Sequence, residues 1–227
     1  MIYTVSDLHG CYDKYQKLLE TIKLRDEDTL YVLGDIVDRG KSGIELIRDI
    51  AARKNVIALK GNHDRTAAIL LRFFGMSDRT EYSDKLKEVF DIWLSDGGEV
   101  TYRSFLLLDD AEKQFILDFL DSLRLKKALT VGNRKYFLAH TVPSKSRMIH
   151  PDRLVDSDYI IGEPEYEKIY FNDTIIVTGH TPTSFIDPKY EGRIWRGNNH
   201  IAIDCGAVFG NPLGCLCLDT LEEIYIS

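Results

Sequence analysis

Three short motifs, each set directly behind a β-prone apolar run, constrain this chain most. Asp7-Leu8-His9-Gly10 follows Ile2-Tyr3-Thr4-Val5, and Gly34-Asp35-Ile36-Val37-Asp38-Arg39-Gly40 follows Thr29-Leu30-Tyr31-Val32-Leu33. Gly61-Asn62-His63-Asp64 follows Val56-Ile57-Ala58-Leu59. Open α/β sheets gather ligands at the carboxyl ends of their strands. Turn and helix-cap roles account for single Asp or Asn residues in such places. They do not account for histidines or for the repeated strand-end placement. Carboxylate, imidazole and amide oxygen together are the donor mixture of divalent metal sites.

Behind the motifs, apolar residues recur at helical spacing. Tyr15, Leu18, Leu19 and Ile22 predict one helix with Asp13 as its cap, and Ile44, Leu46, Ile47 and Ile50 predict a second. A third is expected over Thr66 to Phe74. The resulting β-α-β-α-β-α order implies parallel strands joined by right-handed crossovers. The middle of the chain is helical, with one stripe of Leu86, Val89, Phe90 and Trp93 and another of Phe115, Ile116, Phe119 and Leu120. These stripes read as core or lid packing, and Asp96-Gly97-Gly98-Glu99 as a turn that breaks the helix between them. The charge-rich stretch Asp78 to Lys87 reads as a solvated helix face.

From Leu125 onward short strands are expected over Ala128 to Val131, Tyr136 to Ala139, Thr174 to Thr178, Ile201 to Ile203, Leu213 to Leu218 and Glu223 to Ile226. Asn133 sits in a hairpin-like turn between the first two. The second half thus predicts a mixed or antiparallel sheet, two of whose strands end in His140 and His180. Thr141 to Asn172, long and polar, has the character of a functional or mobile loop. The whole chain, 1–227, reads as a single domain with a helical cap-like segment about 72–123.

A net charge of −7 argues against broad binding to nucleic acid or to anionic membranes. No apolar stretch approaches the roughly 20 residues that span a bilayer, and Met1 to Asp7 has no leader-like pattern, so a cytoplasmic protein is expected. Cys11, Cys205, Cys215 and Cys217 lack zinc-ligand spacing and read as small core residues in a reducing compartment.

Asp7 and His9, one residue apart beyond a strand, could reach one ion, and Asp35 is the natural bridge to a second. Asn62, His140 and His180 would complete that second ion. Neutral donors outnumber carboxylates, so the loaded site would stay positive and suit a dianionic phosphate ester. Two divalent ions about 3.5–4 Å apart lower the pKa of a bridging water and clamp the attacking and leaving oxygens. His63 is then placed as general acid, with Asp38 holding its imidazole. Arg39 has the planar fork to grip phosphate oxygens, and Lys60 could add a point charge. Asp204 reads either as support for His180 or as a turn stabiliser, His150 as loop surface, and His200 as a strand-entry residue.

These motifs resemble the calcineurin-like metallophosphoesterases, and Val37-Asp38-Arg39-Gly40 resembles the phosphoprotein phosphatase group in its small bacterial and phage branch. Gly10-Cys11-Tyr12-Asp13, Trp93 to Tyr102 with its Gly-Gly, Gly179-His180-Thr181-Pro182 and Ile203-Asp204-Cys205-Gly206-Ala207-Val208 extend the resemblance over nearly the whole chain. It implies a four-layer α/β/β/α sandwich of two mixed sheets flanked by helices. It also implies a binuclear centre, most simply of Mn2+ with Fe, Zn or Co as alternatives, and direct attack on phosphorus by a metal-activated hydroxide. The expected activity is that of a serine/threonine protein phosphatase acting on a phosphoprotein or a phosphorylated small molecule. A symmetrical hydrolase of dinucleoside polyphosphates such as diadenosine tetraphosphate is the alternative, and a catalytically weak metal-binding regulatory protein a third reading. Two departures touch the substrate clamp: Lys60-Gly61-Asn62-His63-Asp64 replaces Arg-Gly-Asn-His-Glu, and Tyr159-Ile160-Ile161-Gly162 has no arginine where bacterial relatives carry Trp-x-Arg. Arg147 and Arg153 are the candidate substitutes.

Overall fold

A computed structural model describes residues 1–76 and 81–227. In it β1 (Ile2–Val5), β2 (Thr29–Val32) and β3 (Val56–Ala58) are parallel neighbours, with Tyr3 opposite Leu30 and Tyr31 opposite Ile57. α1 (Tyr12–Ile22) and α2 (Gly43–Ala52) are the crossovers, and β3 leads into α3 (Asn62–Phe74). Each helix turns its apolar stripe inward: Tyr15, Leu18 and Leu19 on α1, Ile44, Leu46, Ile47 and Ile50 on α2, Ala67, Ala68, Leu70 and Leu71 on α3. They pack with Val5, Leu30 and Val32 in the larger core, where removal of apolar surface from water drives the association.

Two boundaries differ from expectation. Cys11 holds the cap position of α1, and Asp13 lies inside the first turn, where its charge favours the helix N-terminus. α3 begins at Asn62 rather than Thr66, because the Asp64 carboxylate accepts the Gly61 N–H at 2.9 Å and closes the first turn. Asn62 and His63 are therefore helical residues.

The middle of the chain forms α4 (Asp84–Trp93), a π-type turn over Leu94–Gly98, α5 (Glu99–Leu106) and α6 (Asp110–Ser122). Asp96 and Gly97 (φ +99°) leave helical geometry, yet winding resumes at once in α5, so the segment is a kink and not a break. Of the two stripes, Trp93, Ile116 and Leu120 are buried while Val89 and Phe115 are exposed, and Leu117 is buried in addition. Trp93, Phe105, Ile116 and Leu120 share the core of α2 and α3. Asp84, Lys85 and Lys87 are exposed, as a solvated face requires, while Asp78 lies outside the described residues.

The second sheet contains β4 (Lys126–Val131), β5 (Arg134–Ala139), β6 (Thr174–Thr178), β7 (Trp195–Gly197) and β8 (His200–Ala202) in the order β4-β5-β6-β8-β7. β5, β6 and β8 are parallel, with antiparallel strands at both edges. β9 (Leu213–Cys217) and β10 (Glu223–Ile226) do not join it, contrary to the single-sheet expectation for the second half. They extend the first sheet instead, β9 antiparallel to β1. The physical reason is that every residue of β9 is buried, as a strand covered on both faces requires. Leu213, Cys215 and Cys217 face the helices, while Leu216 faces the other sheet.

The two sheets pack across Tyr31, Leu33, Leu59, Tyr136, Leu138, Val177, Ile201 and Leu216. Helices cover the outer face of the first sheet. The outer face of the second, carrying Phe137, Ala139 and Ile176, is covered by residues 141–172. Among them α7 (Lys145–Met148) is a single turn. Tyr159 and Tyr170 pin this segment to the sheet, and the Tyr170 hydroxyl donates to the Pro143 carbonyl at 2.9 Å. The architecture is thus two mixed sheets flanked by helices, with a largely irregular fourth layer. The ends of β1, β2, β5 and β6 meet at one rim, where Gly179 N–H donates to the His140 carbonyl and Asp7 N–H to the Gly34 carbonyl.

Candidate metal centre

At that rim the three motifs are stitched together by their own backbone. His9 N–H donates to the Asp35 carbonyl and Gly10 N–H to the Ile36 carbonyl, both at 2.9 Å. The Asp64 carboxylate accepts N–H groups from Asp35, Ile36 and Gly61, each at 2.9 Å, and so locks the third motif to the second. Ten non-glycine residues among those described have positive φ, and Asp7, His9, Asp35, Asp38, Arg39 and His180 are six of them. Such conformations cost roughly 1–3 kcal/mol each and gather where a site needs them.

The donor atoms converge. His9 Nδ1–H donates to the Val37 carbonyl at 2.9 Å and His140 Nδ1–H to the Leu33 carbonyl at 2.7 Å, which turns each Nε2 lone pair toward the site. Asp35 Oδ2 is 3.5 Å from both of these Nε2 atoms. Asn62 Oδ1 lies 3.0 Å from His140 Nε2 and 3.0 Å from His180 Nδ1. Two groups of possible ligand atoms, His9–Asp35–His63 and Asp35–His140–His180, each fall within 4.8 Å, and Asp35 belongs to both. Asp7 stands outside these groups, its oxygens accepting His180 N–H at 3.2 and 3.0 Å beneath the second. Gly61 can be nothing larger, since a Cβ there would lie 2.0 Å from Asp35 Oδ1.

Burial, and for Asp7 also the Asp35 charge, pushes both carboxyls up from the ordinary carboxylate range. Burial likewise holds His140 and His180 down at about 3 and His9 well below its usual value. Neutral rings with oriented lone pairs, facing carboxyls short of positive charge, form a donor set that fits divalent cations.

Beside this set, His63 Nδ1 lies 2.8 Å from Asp38 Oδ2. Burial disfavours the charged ring, but the Asp38 hydrogen bond and the Asp35 and Asp38 charges outweigh it, and the His63 pKa is pushed up to about 8. Arg39 Nη1 is 2.8 Å from His9 Nε2, and Nη2 is 3.0 Å from His63 Nε2 and 3.3 Å from Asp96 Oδ1. A protonated His63 has no lone pair for Arg39, so ring protonation and that contact exclude each other, leaving His9 Nε2 and Asp96 to hold the guanidinium.

Sequence reasoning missed four supporting groups. Trp93 Nε1–H donates to Asp38 Oδ2 at 2.8 Å and Thr101 Oγ1–H to Asp38 Oδ1 at 2.7 Å, so the helical middle orients the His63–Asp38 pair. Asp96 and Asp64 are the other two. The Gly97 carbonyl accepts Arg39 N–H at 2.8 Å, which gives the Gly-Gly kink its purpose. The available signal was Trp93 on the helical stripe immediately before that kink.

Other expected residues lie elsewhere. Lys60 Nζ donates to the Asp121 carbonyl at 3.1 Å, at the end of α6, because its side chain leaves the strand away from the rim. Arg147 pairs with Asp158, and Arg153 is exposed with Asp152 4.0 Å away, so neither arginine sits in the donor cluster. Asp204 Oδ1 accepts Gly206 N–H at 2.9 Å, the turn-stabilising role. His150 is exposed.

His200 is buried at the start of β8, Nε2 on Thr178 Oγ1 at 2.8 Å, and burial holds its pKa down at about 3. The unfolded chain takes up a proton near pH 6.5 that the folded chain refuses, so stability falls as pH drops from about 6.5 toward 3. From this group alone, urea unfolding in EDTA should give about 2 kcal/mol less stability at pH 5 than at pH 7.5. His200→Gln should reduce the measured difference by that amount, the other buried histidines setting the rest; an unchanged pH dependence in the variant would refute the assignment.

Comparison with known proteins follows the same lines. The profile of a family described as calcineurin-like phosphoesterase matches residues 1–209. A symmetrical bis(5'-nucleosyl)-tetraphosphatase of Salmonella paratyphi C is 35% identical over 120 residues, 51% of this chain and 41% of that protein. One from Nitrosococcus oceani is 42% identical over 65 residues, 28% of this chain and 23% of that protein. The chain spans less than half the length of these curated relatives. Among solved structures, a candidate diadenosine tetraphosphatase superposes with a TM-score of 0.62 at 19% identity, covering 99% of this chain and 92% of its own. A protein serine/threonine phosphatase from Saccharomyces cerevisiae gives 0.57 at 15% identity, covering 94% and 71%. At these identities the structural likeness establishes the fold.

Proposed function

Because the chain belongs to the calcineurin-like phosphoesterase family, we propose that it is a metal-dependent phosphoester hydrolase whose substrate is a dinucleoside polyphosphate. The observation that carries the hydrolase reading is Asp35, whose Oδ2 lies 3.5 Å from a histidine nitrogen of each ligand group. Asp7, His9 and Asp35 would hold one cation, and Asp35, Asn62, His140 and His180 the other, with Mn2+ the first ion to test. Bound there, two cations supply positive charge to the phosphate and make an activated water available at neutral pH.

The chain's own residues do the rest. Arg39, released from His63 when that ring is protonated and from His9 when its Nε2 is given to a cation, would present its planar fork to phosphate oxygens. His63 Nε2–H protonates the departing oxygen, while Asp38 on Nδ1 fixes the tautomer and stabilises the charged ring. Trp93 and Thr101 keep Asp38 in place, so His63 needs little reorganisation as the proton moves.

The substrate choice revises the protein-phosphatase expectation. It rests on the curated relatives that are tetraphosphatases and on an arginine clamp reduced to Arg39, since Arg147 is engaged by Asp158. Four free cysteines support a reducing, cytoplasmic setting, and among the described residues no helix is long and apolar enough to cross a membrane. With Mn2+, the protein should convert diadenosine tetraphosphate to ADP at least tenfold more efficiently than it dephosphorylates a phosphoseryl peptide, and EDTA should abolish both. The reverse preference would restore the phosphatase reading, and full activity in EDTA would overturn the metal-dependent one.

A further inference from the structure

Phe209 is 65% exposed, although phenylalanine is among the residue types most often buried. It ends the single 3-10 turn Ala207–Phe209, flanked by Gly206 and Gly210 at φ +77° and +97°. Lys14 Nζ, reaching over from α1, donates to the Ala207 carbonyl at 3.0 Å and the Asn211 carbonyl at 2.5 Å. Ala207 is buried beneath the turn. The backbone that carries the ring is thus braced on both sides while most of the ring remains in water. The Arg39 guanidinium carbon lies 5.4 Å from the ring centroid, in cation–π range. The same guanidinium reaches His9 Nε2 at 2.8 Å, so the ring adjoins the ligand cluster directly.

We propose that Phe209, backed by Arg39, is a stacking platform for the base of a nucleotide substrate whose phosphates lie on the Arg39 fork; this rests on the dinucleoside polyphosphate reading above. A ring carried on a braced backbone has little backbone freedom left to lose on binding. Aromatic stacking accepts any base because every base has a π-face. Polarisation by the cation behind the ring strengthens the stack. The ribose tether places phosphate beside base, which matches an arginine that touches both the phenyl ring and the metal-ligand histidine. The platform therefore selects nucleoside polyphosphates over inorganic polyphosphate without reading base identity.

The test is the ratio of kcat/KM for diadenosine tetraphosphate to that for inorganic tetraphosphate, measured with Mn2+. The ratio cancels any common disturbance of Arg39. Phe209→Ala should lower it roughly 5- to 150-fold, the range for loss of one stacked base. Phe209→Trp should keep or raise it, and Phe209→Leu should lower it while retaining an apolar side chain if the alanine variant folds poorly. Phe185→Ala removes another exposed aromatic, on the turn α8 (Thr183–Ile186), and should leave the ratio unchanged. Adenosine 5'-phosphate binding by calorimetry in EDTA should weaken in step with the ratio. A wild-type preference for the dinucleotide that survives in Phe209→Ala and Phe209→Leu overturns the platform alone. A wild-type chain with no such preference overturns the substrate reading and the platform with it. A selective loss of phosphotyrosyl-peptide turnover in Phe209→Ala, with the nucleotide ratio kept, overturns it in favour of a peptide ring.

Discussion

Asp35→Asn should leave a folded protein that no longer holds two cations and has lost roughly a thousandfold or more in kcat, since ion-dependent stabilisation of the reacting phosphate is worth several kcal/mol. The substitution is nearly isosteric, and Asn Oδ1 can still accept the His63 N–H that Asp35 Oδ1 accepts at 3.0 Å. The other carboxylate oxygen, however, becomes an NH2 group facing His9 Nε2 and His140 Nε2, each 3.5 Å away. It would donate to the two lone pairs that ions require, blocking both groups at once. Asp35 is also buried with its carboxyl pushed upward by that burial. Removing the charge should therefore leave melting in EDTA unchanged or raised. Elemental analysis of purified protein and melting curves with and without Mn2+ separate these effects. Two ions per chain in the variant, with a rate within tenfold of wild type, would remove Asp35 from the bridging position.

His63→Asn should lower kcat by about 10²- to 10⁴-fold on a phosphoseryl peptide, whose alkoxide is a poor leaving group and needs the general acid. Turnover of diadenosine tetraphosphate, whose departing ADP is a good leaving group, should fall far less, while metal content stays at the wild-type level. The loss should shrink markedly on p-nitrophenyl phosphate, whose phenolate departs without needing a proton. That contrast matters because His63 also falls within 4.8 Å of His9 and Asp35. A ligand role predicts lost metal and equal damage to every substrate, and that result would replace the acid assignment. Trp93→Phe should reproduce part of the leaving-group contrast, since it deprives Asp38 of the Trp93 Nε1–H donor at 2.8 Å.

What could be read from sequence follows from the range of the forces involved. The β-α units were legible because each helix buries residues at 3.6 spacing and each strand end carries its motif, both local patterns. Asp35, Asn62, His140 and His180 were legible because strand ends deliver side chains to one rim. The partition of the last strands was not: Leu213–Cys217 pairs with Val5 and its neighbours some 210 positions earlier, and such pairing leaves no local mark. The same holds for Trp93 and Thr101, whose polar atoms serve Asp38 over 55 and 63 positions, though their neighbours belong to an ordinary amphipathic helix. Lys60 failed for the opposite reason, because adjacency in a motif says nothing about which face of a strand end a long side chain leaves.

The left-handed residues at the rim carry a consequence for descent. Asp7, His9, Asp35, Asp38, Arg39 and His180 occupy backbone that glycine would adopt without steric penalty. Backbone strain taken by itself favours glycine there, and two things oppose that drift: use of the site, and the hydrogen bonds that the Asp7, Asp35 and Asp38 carboxylates accept from buried donors. A descendant that had given up its chemistry should lose Arg39 first, whose side chain touches only the site and its rim, and the hydrogen-bonded aspartates last, while the buried stripes of α1 and α2 stayed apolar. The backbone thus offers a gauge of whether any copy of this gene is still at work.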